Sequence, residues 1–213
     1  MATPVKIDFV SDVVCPWCVI GMKELQAAVS RSADVLTAKI RFQPFELNPE
    51  LPPGGEDLFE RIKRKYSASR EETEASQART HARAASLGFE IRSRERIYNT
   101  FNAHRLLHWA GLEGRQAETK LGLFEAYFTR GESLDDPEVL VRAAEAAGLA
   151  GHAARDVVSS GRYAAEVRAA QRRWRELGVN SVPSIVIDDK HLIVGAQPAP
   201  VFEDALRKVA ARA

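Results

Sequence analysis

The sequence predicts an α/β fold in which a strand–helix–strand unit and a strand–strand–helix unit flank a long helical insertion. An apolar run at 5–10 is followed by a helical pattern and then by an alternating segment at 38–45. Residues 56–177 predict helix almost throughout, and strand patterns return after Gly178. A helical block placed between two parts of one mixed sheet is an insertion rather than a separate tail domain.

The first unit has the order of a βαβ motif. Residues 5–10 are mostly apolar and β-branched, which predicts a strand in the sheet interior. Pro16 suits the first turn of the next helix, because an N–H is not needed for bonding there, and Met22, Leu25 and Val29 continue at helical spacing. Residues 38–45 alternate apolar and polar side chains, as a second strand does.

A proline- and glycine-rich linker then leads into the insertion. The helical pattern predicts seven helices, at 56–66, 70–87, 98–112, 115–130, 137–147, 151–159 and 162–177. After them, Ser184–Ile187 and Leu192–Val194 flank a polar turn and predict a hairpin, and a final helix is expected at 199–211.

The composition narrows the functional classes. The chain has 213 residues with 45% hydrophobic content, 30 Lys and Arg against 29 Asp and Glu, and a net charge of +1. That balance argues against nucleic acid or anionic lipid as the main partner. The N-terminus lacks the pattern of a signal peptide, and no run approaches the roughly 18 apolar residues of a membrane span. We therefore expect a cytoplasmic location, where structural disulfides are rare.

Cys15 and Cys18 are the only cysteines, and they stand together as Cys15-Pro16-Trp17-Cys18 at the junction of strand and helix. This pattern predicts dithiol/disulfide chemistry. Cys15 falls at the helix start, where free N–H groups and the helix dipole favour a thiolate, so it would attack. Cys18, one turn further in, would resolve the mixed disulfide. A structural disulfide or half a zinc site are the alternatives, but zinc needs about four ligands and no second cysteine pair exists, so we expect no metal.

A second candidate element is the segment 178–185, in which Pro183 opens a strand after a helix. If the Val182–Pro183 bond is cis, the backbone N–H and C=O of Val182 would turn outward and could pair with an extended substrate. A trans proline that ends a loop is the alternative, and the residues alone favour it.

Together these elements resemble the thioredoxin-fold DsbA-like oxidoreductases, and within them the FrnE-type branch. The matching segments cover nearly the whole chain: 8–18, 45–49, 99–106 and 178–183. The resemblance implies a thioredoxin-like domain formed by 1–48 and 178–213, with 49–177 as an inserted helical cap over the active site. It also implies a cis-proline at Pro183 that faces Cys15.

The same resemblance implies that Asn102 and His104 face the active-site cleft. Asn48 could hydrogen-bond within the cleft, although capping a loop is the more ordinary role for it. For His104 the alternative is a structural histidine at the edge of the core. Asp12 and Glu46 could accept the proton of Cys18, although loop capping is the more ordinary role for both. Pro16, Trp17, Val182 and Pro183 complete the expected substrate-binding set.

Because Trp17 brings no charge between the cysteines, we expect the helix start to be the main cause of a lowered Cys15 pKa.

The leading functional hypothesis is a thiol:disulfide oxidoreductase that needs no metal or nucleotide and acts on a thiol or disulfide of a protein or a small molecule. The alternative is a glutathione-dependent enzyme of the kappa transferase and 2-hydroxychromene-2-carboxylate isomerase type, which resembles this chain in architecture but typically has serine where Cys15 stands. A third hypothesis is a non-catalytic chaperone or polyketide-pathway accessory protein. The direction of exchange, and whether the chain is a monomer or a homodimer, stay open.

Overall fold

The computed structural model describes residues 2–212, and the strands of its main sheet lie toward the two ends of the chain. The strands are β1 (Thr3–Ser11), β2 (Leu36–Pro44), β3 (Glu56–Asp57), β4 (Arg96–Ile97), β5 (Ser184–Ile187) and β6 (His191–Val194). The helices are α1 (Pro16–Arg31), α2 (Leu58–Tyr66), α3 (Arg70–Ser86), α4 (Phe101–Leu112), α5 (Gln116–Phe124), α6 (Pro137–Ala146), α7 (Gly151–Ser159), α8 (Ala164–Glu176) and α9 (Ala199–Ala210). A π-helical turn, Glu125–Thr129, continues α5.

The main sheet has the strand order β2-β1-β5-β6 and joins the two ends of the chain. β1 pairs in parallel with β2 and antiparallel with β5, so it lies in the sheet interior, as its apolar run predicted. Phe9 stands opposite Phe42 on one side and Ile185 on the other, and all three are buried. The predicted βαβ and ββα units are therefore confirmed, and together they form a thioredoxin-like fold.

The insertion departs from the sequence prediction where helices begin. The predicted helix 56–66 begins at Leu58, because Asp57 caps it by accepting a hydrogen bond from the Glu60 N–H at 2.9 Å. Residues 56–57 instead pair with 96–97 as a short antiparallel ladder, so the insertion is not entirely helical. The predicted helix 98–112 begins only at Phe101, after that ladder.

The insertion packs on the sheet rather than standing apart from it. Buried residues of β1, α1, α4 and α5 belong to one continuous apolar cluster. Gln116 of α5 donates to the Phe42 carbonyl and accepts from the Phe42 N–H, both at 2.9 Å, and so occupies the free edge of β2. Within the other part of the fold, α1 packs on α9, where Glu24 accepts a hydrogen bond from the Ala199 N–H at 2.8 Å.

No helix within residues 2–212 is long and apolar enough to cross a bilayer.

Candidate active site

The two cysteines lie at the junction between β1 and α1. Cys15 has an extended backbone at the N-cap of α1, and Pro16 occupies the first turn. The Cys18 N–H donates to the Cys15 carbonyl at 3.0 Å, which starts the helix across the pair. Both thiols are free and buried, with Cys15 5% and Cys18 0% exposed.

The surroundings of the two thiols move their pKa values in opposite directions. A hydrogen bond with the Cys18 thiol lowers the pKa of Cys15 most strongly; burial and the Asp12 charge oppose this, while the backbone N–H groups of Cys18 and Trp17 add to it. Burial, and then the interaction with Cys15, raises the pKa of Cys18 well above its usual range. The helix start thus contributes to the Cys15 thiolate, but the neighbouring thiol contributes more than the sequence led us to expect.

Val182 and Pro183 stand beside Cys15, and the peptide bond between them is cis. The Cys15 thiol points at the Val182 carbonyl oxygen, with the sulfur 3.8 Å from it. Gly21 of α1 permits this approach, because a Cβ there would lie 3.0 Å from Cγ of Pro183. The structure therefore brings the two sequence elements together, although 167 positions separate Cys15 from Val182.

A cleft of about 910 Å³ opens in front of Cys15. Trp17 and Val182 stand on its wall beside Cys15, and Trp17 is 44% exposed. The insertion supplies much of the remaining wall, largely from α2, α3 and the loop before α4. Cations outnumber anions among its charged lining residues, which are Arg61, Lys65, Arg94, Arg175, Glu46 and Glu72.

Asn48 lies on this wall, as expected, but its side chain is already engaged. Its Oδ1 accepts hydrogen bonds from Nε and Nη2 of Arg61 at 3.1 and 2.9 Å and from Nζ of Lys65 at 3.1 Å. In Glu46, Oε2 accepts hydrogen bonds from both Arg168 and Gln171, whereas Oε1 is buried without a hydrogen-bond partner among the described residues. Both side chains therefore fix the shape and charge of the wall.

Arg94 also lies on this wall, although no pattern in the sequence pointed to it. It is 8% exposed, and its Nε and Nη1 atoms are buried without a hydrogen-bond partner in the described part of the chain. Its guanidinium stacks on the rings of Phe128 and Tyr127, with centroids 4.4 and 5.1 Å away. Burial lowers the pKa of Arg94, and the nearby acidic groups of Tyr127 and Cys15 partly reverse this.

His104 and Asn102 do not reach the cleft, contrary to the expectation from the resemblance. His104 is 2% exposed, and its Nε2 lies 3.0 Å from the Phe45 carbonyl oxygen and 3.3 Å from Oδ1 of Asp12. Because a carbonyl can only accept, the Nε2 atom carries a proton. Asn102 is exposed, and its Oδ1 accepts a hydrogen bond from Arg105 at 2.7 Å.

Asp12 is fully buried behind the cysteines. Its Oδ2 accepts a hydrogen bond from the Leu47 N–H at 2.7 Å, which ties the loop after β1 to the segment after β2. Burial alone would raise the pKa of Asp12, but its interactions with His104 and Leu47 lower it. The ionised carboxylate of Asp12 therefore accepts the hydrogen bond that holds the loop carrying Cys15 in place.

The chain matches the DSBA-like thioredoxin domain over residues 6–207. It belongs to that family. In fold it is similar to the probable DsbA oxidoreductase SCO1869 from Streptomyces coelicolor, at 31% identity and a TM-score of 0.91, with 98% of this chain and 91% of the other covered.

Two further solved structures of low sequence identity share the DsbA-like fold. One is 2-hydroxychromene-2-carboxylate isomerase, at 16% identity and a TM-score of 0.70, with 97% of each chain covered. The other is the cytosolic disulfide reductase DsbM from Pseudomonas aeruginosa, solved with GSH, at 15% identity and a TM-score of 0.67, with 97% of this chain and 99% of the other covered.

Among residues 2–212, no three His, Cys, Asp or Glu side chains gather closely enough to hold a metal ion. What the described residues do present is a pair of adjacent thiols, one directed to an open cleft and one enclosed. In this DsbA-like arrangement, the thiol at the cleft can react with a substrate as a nucleophile. The enclosed thiol can react only with the thiol at the cleft.

Proposed function

We propose that this DsbA-like protein is a thiol:disulfide oxidoreductase in which Cys15 attacks and Cys18 resolves. The observation that carries the proposal is the asymmetry of the pair: the thiol with the lowered pKa lines the cleft, and the thiol with the raised pKa is enclosed. A thiolate is the attacking form, and access decides which sulfur meets the substrate.

The reaction runs in two exchanges. The Cys15 thiolate attacks one sulfur of a substrate disulfide, forming a mixed disulfide and releasing the first substrate thiolate. Cys18 then attacks the Cys15 sulfur, so that the Cys15–Cys18 bond forms and the second substrate thiolate leaves. The enzyme dithiol is oxidised by two electrons, and the substrate disulfide is reduced by two. The reverse sequence oxidises a substrate dithiol, and the reduction potential of the pair decides between the directions.

Reduction of a disulfide-bonded protein such as insulin tests this proposal. We expect Cys15→Ser to abolish the activity and Cys18→Ser to trap a mixed disulfide that denaturing electrophoresis without reductant detects. If Cys15→Ser keeps full activity, the redox mechanism is wrong.

We further propose that the substrates include small disulfides that carry carboxylates, of which glutathione disulfide is the natural first probe. Arg94 supports this, because its guanidinium lines the cleft without an acidic partner among the described residues, and a carboxylate is a group that a guanidinium binds strongly. The name of DsbM, a disulfide reductase solved with GSH, is consistent with such a substrate and with the cytoplasmic location that we propose.

A glutathione-dependent isomerase or transferase is the second candidate function. The same cationic wall favours it, since that chemistry also needs the glutathione carboxylates to be held. The two functions differ in their dependence on Cys15, where the resemblance implies serine in the isomerase and transferase type. Isomerase or conjugating activity that survives Cys15→Ser would support this second function.

A further inference from the structure

One edge of the main sheet is open along part of β2. Among residues 2–212, β2 is an outer strand of this sheet and pairs only with β1. Just before β2, the Val35 carbonyl accepts a hydrogen bond from the Thr3 N–H at 2.9 Å. Just after β2, the Phe45 N–H donates to the Ser11 carbonyl at 3.2 Å. The odd-numbered residues of this strand therefore direct their backbone groups toward β1, because successive residues alternate.

The even-numbered residues of β2 direct their backbone groups away from the sheet. Phe42 shows this, since its N–H and its carbonyl both bind the side chain of Gln116 at 2.9 Å. At the other end, the Leu36 N–H is bonded within the turn after α1. Between these two positions, Ala38 and Ile40 each have an outward N–H and carbonyl that pair with no other element of the described chain.

Space for a further strand lies along this edge. A second cavity, of about 630 Å³, is lined by residues 39–44 of β2 together with parts of α4, α5 and α8. Ala38 and Ile40 are half-buried rather than enclosed. The Gln116 amide bonds to Phe42 as the backbone of a neighbouring strand would. The edge thus accepts an amide in this geometry at one position and is open at the two preceding outward residues.

The charges beside this edge indicate which kind of segment fits it. Lys39 and Arg41 are exposed, border the cavity and share one face of β2. The carboxylates nearby already have cationic partners, which are Arg115 for Glu118 and Lys6 for Asp8. A strand added beside β2 places alternate side chains on the face of Lys39 and Arg41, where opposite charges on neighbouring strands attract. These positions therefore favour acidic residues.

The other face and the edge itself narrow the choice of occupant further. Alternate side chains of an added strand lie beside Ile40, and Leu112, which is 65% exposed, borders the same cavity and adds apolar surface. A second copy that paired its own β2 here would set Lys39 and Arg41 against the same two residues. Like charges on neighbouring strands repel, so this pairing is disfavoured.

We propose that the outer edge of β2 binds an extended segment of another protein in which acidic and apolar residues alternate. The segment forms backbone hydrogen bonds with Ala38 and Ile40 and places its acidic side chains beside Lys39 and Arg41. In this mode of recognition, main-chain bonds give affinity and alternate side chains give specificity. The site includes neither cysteine, so the inference does not rest on the proposed function.

Hydrogen exchange followed by NMR tests the pairing on the wild-type protein. The probe is a short synthetic peptide without cysteine in which glutamate and valine alternate. We expect exchange of the Ala38 and Ile40 amide protons to slow by about tenfold when about nine-tenths of the protein is bound. The amide protons of Lys39 and Arg41 already bond to β1, so their exchange should change by less than about twofold.

Methylated peptides distinguish strand pairing from a looser contact. Only alternate residues of an added strand direct their N–H groups to β2, so methylation of all valine or of all glutamate nitrogens removes these donors in one peptide only. We expect that peptide to bind at least about tenfold more weakly and the other to stay within about twofold of the unmethylated one. The valines are the sensitive set if the segment is antiparallel to β2, and the glutamates if it is parallel.

Charge reversal tests the preference for acidic residues. Lys39→Glu and Arg41→Glu should each weaken binding by about 3- to 10-fold, because each replaces an attraction with a repulsion. The double variant should prefer a peptide with lysine in place of glutamate. Lys190→Glu is the matched control, since it makes the same change in the exposed turn between β5 and β6 and should leave the affinity within about twofold.

Four results would overturn the inference. A scrambled peptide of the same composition that binds as tightly would show only a general attraction of anions. No binding of the alternating peptide at about millimolar concentration would mean that Lys39 and Arg41 only keep this edge from pairing. Equal losses from the two methylated peptides, or none, would exclude a ladder. Protection of Ile40 that grows with protein concentration without peptide would assign the edge to a second copy.

Discussion

The region in front of Cys15 and the region behind Cys18 are both built by the insertion, yet they differ in access and in chemistry. The front is an open cleft of about 910 Å³ whose wall is rich in cations, and the exposed Trp17 stands on that wall. The back holds Asp12, His104 and Lys120 of α5, each at most 2% exposed, and a second cavity of about 630 Å³ reaches His104 and Lys120 but not Cys18. Two cysteines one helical turn apart therefore meet two different environments.

This difference shows how one fold assigns separate tasks to two chemically identical groups. The front lets a substrate reach the thiol with the lowered pKa, and its charges select what enters. The back keeps water and substrate from Cys18, which raises the Cys18 pKa and creates the need for a proton acceptor. The following predictions test whether the front and back act independently.

The largest effect is expected at the back, from Asp12→Asn. The amide would place a donor against the Leu47 N–H or the protonated Nε2 of His104, where a fully buried carboxylate now accepts. We expect a loss of roughly 3 kcal/mol in the free energy of unfolding, measured with urea on the reduced protein. The Cys15 pKa should fall further as well, because the Asp12 charge raises it.

Asp34→Asn is the matched control for this change. Asp34 is an exposed partner of Arg207, so the same substitution there should leave the urea midpoint unchanged. Equal losses in the two variants would mean that Asp12 does not hold the buried region together.

The next largest effect is expected at the front, where Arg94→Met removes a guanidinium that lines the cleft without an acidic partner among the described residues. We expect kcat/KM for glutathione disulfide to fall by about 10- to 100-fold, the value of a lost charged hydrogen bond of roughly 1.5–3 kcal/mol. The neutral hydroxyethyl disulfide should change by less than about twofold, because it has no carboxylate for Arg94 to bind. Arg94→Lys should restore part of the loss.

Arg175→Met is the control, since it removes a cation from the same wall where the side chain is exposed. Its effect on both disulfides should be small. If Arg94→Met slows both disulfides equally, the guanidinium acts on Cys15 or on folding rather than on the substrate carboxylate.

The front and the back also differ in how far the sequence could predict them. The fold followed from apolar periodicity, which burial enforces residue by residue along β1 and α1. Cys15, Cys18 and Pro183 could be selected because their residue types are unusual at a helix start and a strand start. Helix starts such as Leu58 and Phe101 were misplaced, because the two short strands that precede them pair across about 40 positions of the chain.

Arg94 and Lys120 show why the rest of the site could not be predicted from the sequence. Arg94 stands in a charged loop segment, Ser93-Arg94-Glu95-Arg96, and becomes buried only because the π-helical turn packs beneath it. Lys120 did leave a signal, since it shares the helical spacing of Leu123, Phe124 and Tyr127 and so interrupts an apolar stripe. A charged residue within such a stripe predicts burial, but not which group it would face.

A smaller effect is expected from pH, because the lowered pKa of Cys15 couples its ionisation to folding. A depressed folded pKa stabilises the reduced protein above the unfolded value of about 8.5, and this stability is lost as the pH falls through the folded pKa. The raised pKa of Cys18 has the opposite effect on stability, because above about pH 8.5 the thiol ionises more readily in the unfolded chain than in the folded one.

The pH window of interest lies between the folded pKa of Cys15 and the unfolded value of about 8.5. Only within this window should the reduced wild-type protein gain stability with rising pH relative to Cys15→Ser. The slope should not exceed about 1.4 kcal/mol per pH unit, the value for one proton. Urea unfolding of both proteins across the window measures it. Parallel stability curves would show that Cys15 ionises equally in the folded and unfolded chains.

The smallest effect is expected from Trp17→His, which adds a titratable charge to the front without touching the back. A protonated imidazole beside the Cys15 sulfur should lower the Cys15 pKa, while its repulsion with the start of α1 opposes its own protonation. At this exposed position we expect about 0.3–1 kcal/mol, or a two- to fivefold larger thiolate fraction at mildly acid pH. Thiolate absorbance against pH measures it, and Trp17→Gln controls for loss of the ring. An equal gain in Trp17→Gln would assign the effect to access. A change in the rate at which Cys18 resolves the mixed disulfide would show that front and back are not independent.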